Sequence, residues 1–233
     1  MSEKKEAIEL RNKHQIAKKA IVEDQQQTRT VILAETKNKE TVYKKEVDEL
    51  TKQQDALADE IQAIEDELRA AFDPNLAPSK LGGVLGWPVN MASVGGVGRI
   101  TQHFGEKSYL YRGKAHNGLD IGIPIGTPVF AAEDGIVTRV DNNDQSRTRK
   151  YQYGKYVLIR HGNNVGTLYA HLSSQVVNSG AIVKRGQLIG YGGSTGYATG
   201  PHVHFGVYWT ASIEMKSLPP AAGLVPVGVT LNP

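Results

Sequence analysis

The sequence predicts a two-part protein: an N-terminal α-helical coiled coil followed by an all-β domain. Two observations support this prediction, the distribution of glycine and proline and a change in hydrophobic periodicity at the same point of the chain. All 25 glycines and all 10 prolines of the 233 residues follow Asp73. Apolar side chains recur at helical spacing before that residue and fall in short runs bounded by glycine after it. We therefore divide the chain into a helical segment over residues 1–73, a Pro/Gly-rich linker over 74–90 and a β domain over 91–233.

A heptad pattern covers residues 43–71 of the helical segment. One core position of the repeat holds Val47, Gln54, Ile61 and Leu68, and the other holds Leu50, Leu57, Ile64 and Ala71. This alternating spacing of three and four residues is typical of a coiled-coil seam. The pattern therefore predicts a coiled-coil partner or a homodimer, with a passive spacer as the alternative.

Beyond the linker, the chain shows short apolar runs bounded by glycine. Examples are TPVFAAEDGIVTRV, YGKYVLIRHG, VGTLYAHL and QLIGYGG. Short strands at this spacing predict a β-sandwich or a barrel-like sheet. The polar stretch DNNDQSRTRKYQYG between two of these runs is a long loop, which either borders a site or is disordered.

Charge and composition restrict the classes of partner. Residues 1–73 carry 13 Lys/Arg and 17 Asp/Glu, whereas the remainder carries 14 and 7, so the β domain is basic. A basic domain indicates an anionic polymer such as nucleic acid, acidic lipid or bacterial cell-wall polymer, against ordinary surface charge as the alternative. The chain has no cysteine, which excludes disulfides, Cys-ligated zinc and thiol catalysis. No stretch approaches the roughly 18 apolar residues that a membrane span needs.

Two histidines stand one residue apart in GPHVHFGVYW, which otherwise reads as a buried strand. Successive side chains of a strand point to opposite faces, so His202 and His204 share one face. The face that holds Val203 and Phe205 is apolar. Buried imidazoles need partners for their ring nitrogens, so the pair indicates a polar site on the sheet.

Two further strand-like segments add metal-ligating side chains. His116 and Asp120 lie four residues apart in HNGLDIG, and His171 ends the run TLYAHL. Imidazole nitrogen and carboxylate oxygen without thiolate suit a catalytic zinc, which takes three protein ligands and leaves a position for water. Two histidines then remain for general-base and transition-state roles. The spacing alone leaves open whether His202 or His204 meets the metal.

Taken together, these segments resemble a known family. HNGLDIGIPIGTPVFAAEDGIV, YGKYVLIRHG, LYAHL and VKRGQLIGYGGSTGYATGPHVHFGVY are similar to the LytM/lysostaphin-type zinc metalloendopeptidases of bacterial cell walls, peptidase family M23. The resemblance runs from about Gly86 to the final LNP. It implies a twisted antiparallel sheet with a substrate groove walled by loops, which match residues 102–112 and 141–153.

The resemblance also implies roles for individual residues. The implied zinc ligands are His116, Asp120 and His204, and the implied catalytic pair is His171 and His202, which polarise the water and stabilise the oxyanion. The implied substrate contacts are Asn117, Tyr169 and Thr195. For His103 we expect a groove-wall or surface position, with a regulatory ligand that covers the metal as the alternative. For His161 we expect a place at the end of a strand.

The function implied by the resemblance is zinc-dependent hydrolysis of the peptide cross-links of peptidoglycan. The alternative is a catalytically silent module that binds and activates a cell-wall amidase. Silent modules have lost zinc ligands or catalytic histidines, whereas this chain retains all five, which favours the enzyme. The bond stays open between an oligoglycine bridge and a D-Ala to diaminopimelate cross-link.

The implied substrate sets the expected partners and location. We expect peptidoglycan as the partner rather than nucleic acid, and action outside the cytoplasm, in the periplasm, in the cell envelope or after secretion. The export signal or anchor is expected to lie outside this sequence, a phage enzyme released by lysis being the alternative. By architecture alone, the helical segment resembles that of the cell-division and murein-hydrolase members of this family. Whether it dimerises, recruits a partner or shields the groove stays open.

Overall fold

One long helix precedes a β-rich domain. The computed structural model describes residues 2–72, 85–91, 99–107, 113–144, 152–162, 164–219 and 221–233. The chain forms two compact units, Met1–Lys52 and Gln53–Pro233, and helix α1 spans Ser2–Ala71. The absence of glycine and proline from this stretch permits a continuous helix, which ends shortly before Pro74. In the part of the chain that is described, no helix combines the length and apolarity needed to cross a membrane.

The C-terminal part of α1 packs against the β domain within the unit Gln53–Pro233. Leu57 and Ile61 are buried there, and Ile64 and Leu68 are partly buried against the same cluster. All four belong to the predicted heptad seam. The helix is therefore confirmed, and among the described residues these seam positions contact strands rather than a second helix. The coiled coil stays a prediction.

Within the described residues, thirteen strands form three sheets. The strands are β1 (Arg99–Gln102), β2 (Leu119–Gly122), β3 (Pro128–Phe130), β4 (Gly135–Asn142), β5 (Lys155–His161), β6 (Val165–Leu172), β7 (Ser174–Gln175), β8 (Ile182–Val183), β9 (Leu188–Tyr191), β10 (His202–Trp209), β11 (Glu214–Lys216), β12 (Val225–Val227) and β13 (Thr230–Leu231). The main sheet has the order β1-β2-β10-β6-β5-β4-β8, and β13 pairs with β10. The small sheets are β3-β9-β7 and β11-β12, and a 3₁₀ turn covers Thr210–Ser212.

Every described strand pair is antiparallel, as the family resemblance implies. The main sheet is covered by apolar side chains on both faces. A larger cluster includes Ile121, Val203 and Phe205, and a smaller one includes Leu168 and Tyr208 together with the buried residues of α1. We call the face of the sheet with the smaller cluster the helix-facing side. The alternation predicted for β10 is confirmed, since Val203, Phe205 and Val207 enter the larger cluster and Tyr208 the smaller one.

Candidate metal centre

The candidate metal centre is assembled by strand register. Asp120 on β2 lies opposite His204 on β10, and His204 lies opposite Ala170 on β6, all on the helix-facing side. His116 enters from the connection between β1 and β2. Gly118 permits this approach, because a Cβ atom at that position would lie 2.6 Å from Cε1 of His204 and 2.8 Å from the carbonyl oxygen of Phe205.

Three buried donor atoms converge there. Nδ1 of His204 lies 2.9 Å from Oδ1 of Asp120, and Nε2 of His116 lies 3.2 Å from the same oxygen. The two histidine nitrogens are 3.1 Å apart. Ligand atoms about 2.0–2.2 Å from a tetrahedral zinc lie about 3.3–3.6 Å from one another. The observed spacing and the donor set therefore fit a zinc ion with small adjustments.

The charge of the centre also favours a cation. Burial by itself raises the pKa of Asp120, but the hydrogen bonds with His116 and His204 outweigh it and hold the pKa well below the usual range. Burial lowers the pKa of His204, which keeps the ring neutral as a ligand must be. The carbonyl oxygen of His103 lies 3.2 Å from Nδ1 of His116, so this nitrogen carries the proton and Nε2 is left for the metal.

His171 and His202 lie beside the three donor residues, with ring centroids 4.6 Å apart. Nδ1 of His171 donates to the carbonyl oxygen of Thr195 at 2.8 Å, and Nδ1 of His202 donates to that of Gly200 at 2.8 Å. In the neutral rings, Nε2 is then the acceptor. Nε2 of His202 is buried without a hydrogen-bond partner among the described residues, 3.7 Å from Oδ2 of Asp120. Burial, with His202 and His204 nearby, lowers the pKa of His171 to about 3.

His171 reaches the centre through an unusual backbone conformation. Its φ of 60° lies in the left-handed region, which costs a non-glycine residue about 1–2 kcal/mol. Strict alternation along β6 would place His171 on the same face as Tyr169. The left-handed conformation turns it to the helix-facing side instead, held by a 2.9 Å hydrogen bond from its amide to the carbonyl oxygen of Tyr153. Such strain is typical of functional sites.

The three residues expected to contact substrate have different surroundings. Asn117 lies at the site, where its Nδ2 donates to Glu65 and to the hydroxyl of Tyr153. Thr195 is half-buried, and its hydroxyl donates to the carbonyl oxygen of Leu172 and accepts from the amide of Lys155, while its own carbonyl orients His171. This geometry favours a positioning role for Thr195.

The expectation for Tyr169 needs a correction. Its side chain is fully buried in the larger cluster, on the opposite face of the sheet from the donor residues. Its hydroxyl accepts from the amide of Ala132 and the hydroxyl of Thr167. Tyr169 is therefore part of the core and does not face the groove, because the chain changes direction at His171 and not before it.

The remaining histidines lie outside the donor cluster. His103 has an exposed side chain and takes part only through its carbonyl oxygen. His161, the last residue of β5, bonds to the carbonyl oxygen of Asp134 and the hydroxyl of Thr167. Of the expected loop walls, residues 108–112 and 145–151 lie outside the described part of the chain.

Three further residues at this site received no role from the sequence. The hydroxyl of Tyr153 lies 3.1 Å from that of Tyr208, and the ring of Tyr153 lies 5.6 Å from the ring of His204. Glu65 of α1 is buried next to Asn117. Strand alternation places Tyr208 on one face with His202 and His204 but assigns it no role. No sequence pattern placed Glu65 at the site.

The centre opens into a cavity of about 120 Å³ that α1 helps to line. The helix contributes Leu57, Ile61 and Glu65, and the β domain contributes His116, His171 and His204. His116, His171 and His204 therefore face a space that α1 walls on one side.

Comparisons with known proteins match the segment that carries His116, Asp120 and His204 to one family. Residues 114–215 match the model of Peptidase family M23. The chain is 48% identical over 91 residues to the Peptidoglycan DD-endopeptidase ShyA of Vibrio cholerae, covering 39% of this chain and 19% of that protein. It is 44% identical over 109 residues to the DD-carboxypeptidase/endopeptidase Mpg of Neisseria meningitidis, covering 46% and 24%. The match thus spans about a fifth to a quarter of the length of these curated relatives. The solved catalytic domain of lysostaphin from Staphylococcus simulans is 28% identical, over 58% of this chain and 94% of that one, with a TM-score of 0.46.

Proposed function

We propose that this chain, which carries a domain of peptidase family M23, is a zinc-dependent endopeptidase that cuts peptide cross-links of bacterial peptidoglycan. The observation that carries the proposal is the convergence of His116, Asp120 and His204 inside the matched segment. The relative at 48% identity is named a peptidoglycan DD-endopeptidase and the relative at 44% a DD-carboxypeptidase/endopeptidase. These names support a cut in a D-Ala to diaminopimelate cross-link rather than an oligoglycine bridge.

In this proposal, Nε2 of His116, Oδ1 of Asp120 and Nδ1 of His204 hold the zinc. When bound, zinc supplies Lewis-acid polarisation of the scissile carbonyl and lowers the pKa of a water molecule. Oδ1 of Asp120 lies within 3.2 Å of the ligating nitrogen of each histidine, so the three ligand atoms already face one another. The carbonyl oxygen of His103 orients the ring of His116 by accepting from its Nδ1.

The two remaining histidines move protons. His171 is neutral at pH 7, since burial lowers its pKa to about 3, and its Nε2 can accept a proton from water. The bond from its Nδ1 to Thr195 keeps that tautomer in place. His202 in its protonated form can donate from Nε2 to the developing oxyanion, and the carboxylate of Asp120 nearby stabilises that charge. Proton return to the leaving amine then falls to His171.

We further infer that the protein acts outside the cytoplasm, where peptidoglycan lies. A coiled-coil partner or a second copy can use the apolar side chains that α1 exposes outside the β-domain contact, Val42, Tyr43 and Val47. The silent amidase-activating module is disfavoured, because all five metal and proton-transfer side chains are present and adjacent.

The experiment that tests the proposal measures muropeptide release from purified sacculi by the zinc-loaded full chain. We expect cross-link-derived fragments from the unchanged protein and none from His204→Ala or His202→Ala. His204→Ala should also lose zinc, whereas His202→Ala should retain it. His103→Ala is the matched control, because its exposed ring lies outside the site, and it should release fragments at the unchanged rate. No release from sacculi of any type, by the unchanged chain or by the helix variants described below, would reject the enzyme.

A further inference from the structure

The last turns of α1 lie on the apolar surface beside the candidate metal centre. Leu57 is 3% exposed and Ile61 is 7% exposed, and both belong to the same cluster as Tyr153, Leu168 and Tyr208. Leu168 and Tyr208 come from the strands that also carry His171 and His204. The helix therefore covers the sheet surface that a substrate must approach to reach the metal.

Polar contacts fix the register of the helix on this surface. Glu65 lies four residues after Ile61 on the same helix face and is only 4% exposed. Its Oε1 accepts a hydrogen bond of 3.2 Å from Nδ2 of Asn117, the residue that follows His116. At the rim, the ammonium group of Lys114 pairs with the carboxylate of Asp59. Two acidic side chains of the helix thus contact residues on either side of a predicted zinc ligand.

The contact with Asn117 uses a donor that a peptide could use. An amide N–H can donate to a carboxylate oxygen or to the carbonyl oxygen of a peptide bond. Burial raises the pKa of Glu65 to about 7, so this position favours a neutral acceptor over a charged one. A backbone carbonyl of a bound peptide is such a neutral acceptor.

The space left beneath the helix is small. The cavity over His116, His171 and His204 measures about 120 Å³, and α1 forms one of its walls. Sites that hold small-molecule ligands commonly measure about 300–1,000 Å³. A peptide chain that reached all three histidines would need the volume that Leu57, Ile61 and Glu65 now fill.

We propose that residues 53–71 are an internal competitor of the substrate, held in the peptide groove by the Leu57 and Ile61 side chains and by the Glu65 to Asn117 hydrogen bond. This inference rests on the proposed function, since it takes the covered surface to be the groove for the peptidoglycan peptide. The helix must leave the groove before a peptide enters. Because the covering side chains also occupy the predicted heptad seam, groove docking and coiled-coil pairing of this stretch exclude each other. A helix that pairs with the seam therefore opens the site.

Two variants of the full chain release the helix in different ways. Ile61→Asp places a carboxylate in the apolar contact. Asp59→Lys puts a second ammonium group beside that of Lys114 at the rim, where the side chain of Asp59 is 68% exposed. Ala70→Asp and Ala70→Lys are the matched controls, since Ala70 is an exposed residue of the same helix. Two rates are measured: the removal of zinc by a chelator and the cleavage of soluble cross-linked muropeptides.

We expect Ile61→Asp to raise both rates at least about tenfold, because a buried unpaired carboxylate strongly disfavours docking. Asp59→Lys should raise them less, and both controls should match the unchanged chain. If Ile61→Asp fails to give a cooperative thermal transition, Asp59→Lys decides, because its exposed position leaves the core intact. Zinc removal at the unchanged rate in the folded variants overturns the inference. Faster zinc removal without cleavage by any protein supports the covering helix and rejects the proposed enzyme instead.

Discussion

Nδ1 of His204 lies 2.9 Å from Oδ1 of Asp120 because the antiparallel register of β2 and β10 sets these two residues opposite each other. Two predicted ligands of the candidate centre are thus placed by backbone hydrogen bonds rather than by flexible loops. Sites built on strands hold their geometry more closely than sites on loops. The third predicted ligand, His116, reaches the pair only because its neighbour two residues on is a glycine.

Substitution of that glycine tests the close approach. In Gly118→Ala, the new methyl group would lie within 2.8 Å of the His204 ring and of the carbonyl oxygen of Phe205, so the ring or the strand must shift. We expect a loss of about 1–3 kcal/mol in the free energy of unfolding and weaker zinc binding. Thermal unfolding and zinc titration measure the two effects. Gly162→Ala is the control, because among the described residues no atom beyond its chain neighbours lies within 4 Å of its Cβ position. Equal behaviour of the two variants would contradict the prediction.

Local patterns in the sequence predicted much of this site and missed the rest for identifiable reasons. The period-two pattern of β10 correctly separated His204 from Val203, because a regular strand obeys it. The same rule misplaces His171 relative to Tyr169, since one left-handed residue reverses the faces and no sequence pattern predicted it. The heptad pattern indicated a helix and an apolar stripe. It does not specify what covers the stripe, so the contact of Glu65 with Asn117 could not be predicted.

Thr195 offers a test of how His171 is positioned. Thr195→Val keeps the shape of the side chain but removes its hydrogen bonds with Leu172 and Lys155, which loosens the carbonyl that holds His171. We expect kcat to fall about tenfold, with zinc affinity and KM nearly unchanged, since one or two hydrogen bonds are worth about 1–2 kcal/mol. Steady-state kinetics and zinc titration separate these quantities.

The control for this prediction is Thr138→Val. Thr138 lies on β4, outside the cluster of histidines. Its substitution also removes one hydroxyl hydrogen bond, to the carbonyl oxygen of Leu158. The control should keep kcat and lose only stability. An equal fall of kcat in both variants would show that the effect of Thr195 is general destabilisation.

Glu65 makes docking of the helix dependent on pH. Its pKa rises from the ordinary value of 4.5 to about 7 in the docked state. Burial causes most of the rise and Asp66 adds to it, and together they outweigh the lowering by Asn117 and Arg69. The docked state therefore binds the proton more tightly. Its stability is greatest below pH 4.5 and falls by about 1.4 kcal/mol per unit up to pH 7, about 3 kcal/mol in all. We expect zinc removal by a chelator to accelerate as the pH rises through this window.

Glu65→Gln isolates this effect from the titration of the zinc ligands. The amide oxygen of glutamine still accepts from Asn117 but carries no titrating group. The ratio of the unchanged protein's rate to that of Glu65→Gln should rise between pH 5 and pH 8, since effects common to both proteins cancel. Tyr153 and Tyr208, which also face Glu65, stay neutral throughout because burial raises the pKa of each far above this range. A constant ratio would remove Glu65 as the source of the pH dependence.

Tyr153 connects the helix contact to the metal centre. Its hydroxyl accepts from Nδ2 of Asn117 and lies 3.1 Å from that of Tyr208, and its ring lies against His204. Tyr153→Phe keeps the ring, so we expect zinc affinity to be retained. The substitution removes the hydroxyl that holds the side-chain amide of Asn117, so KM for a muropeptide should rise several-fold. Unfolding should lose about 1–2 kcal/mol for the hydrogen bonds. Tyr156→Phe removes a hydroxyl bond to the carbonyl of Leu224 and should show the stability loss alone. If both variants raise KM equally, Tyr153 supports the fold and does not position Asn117.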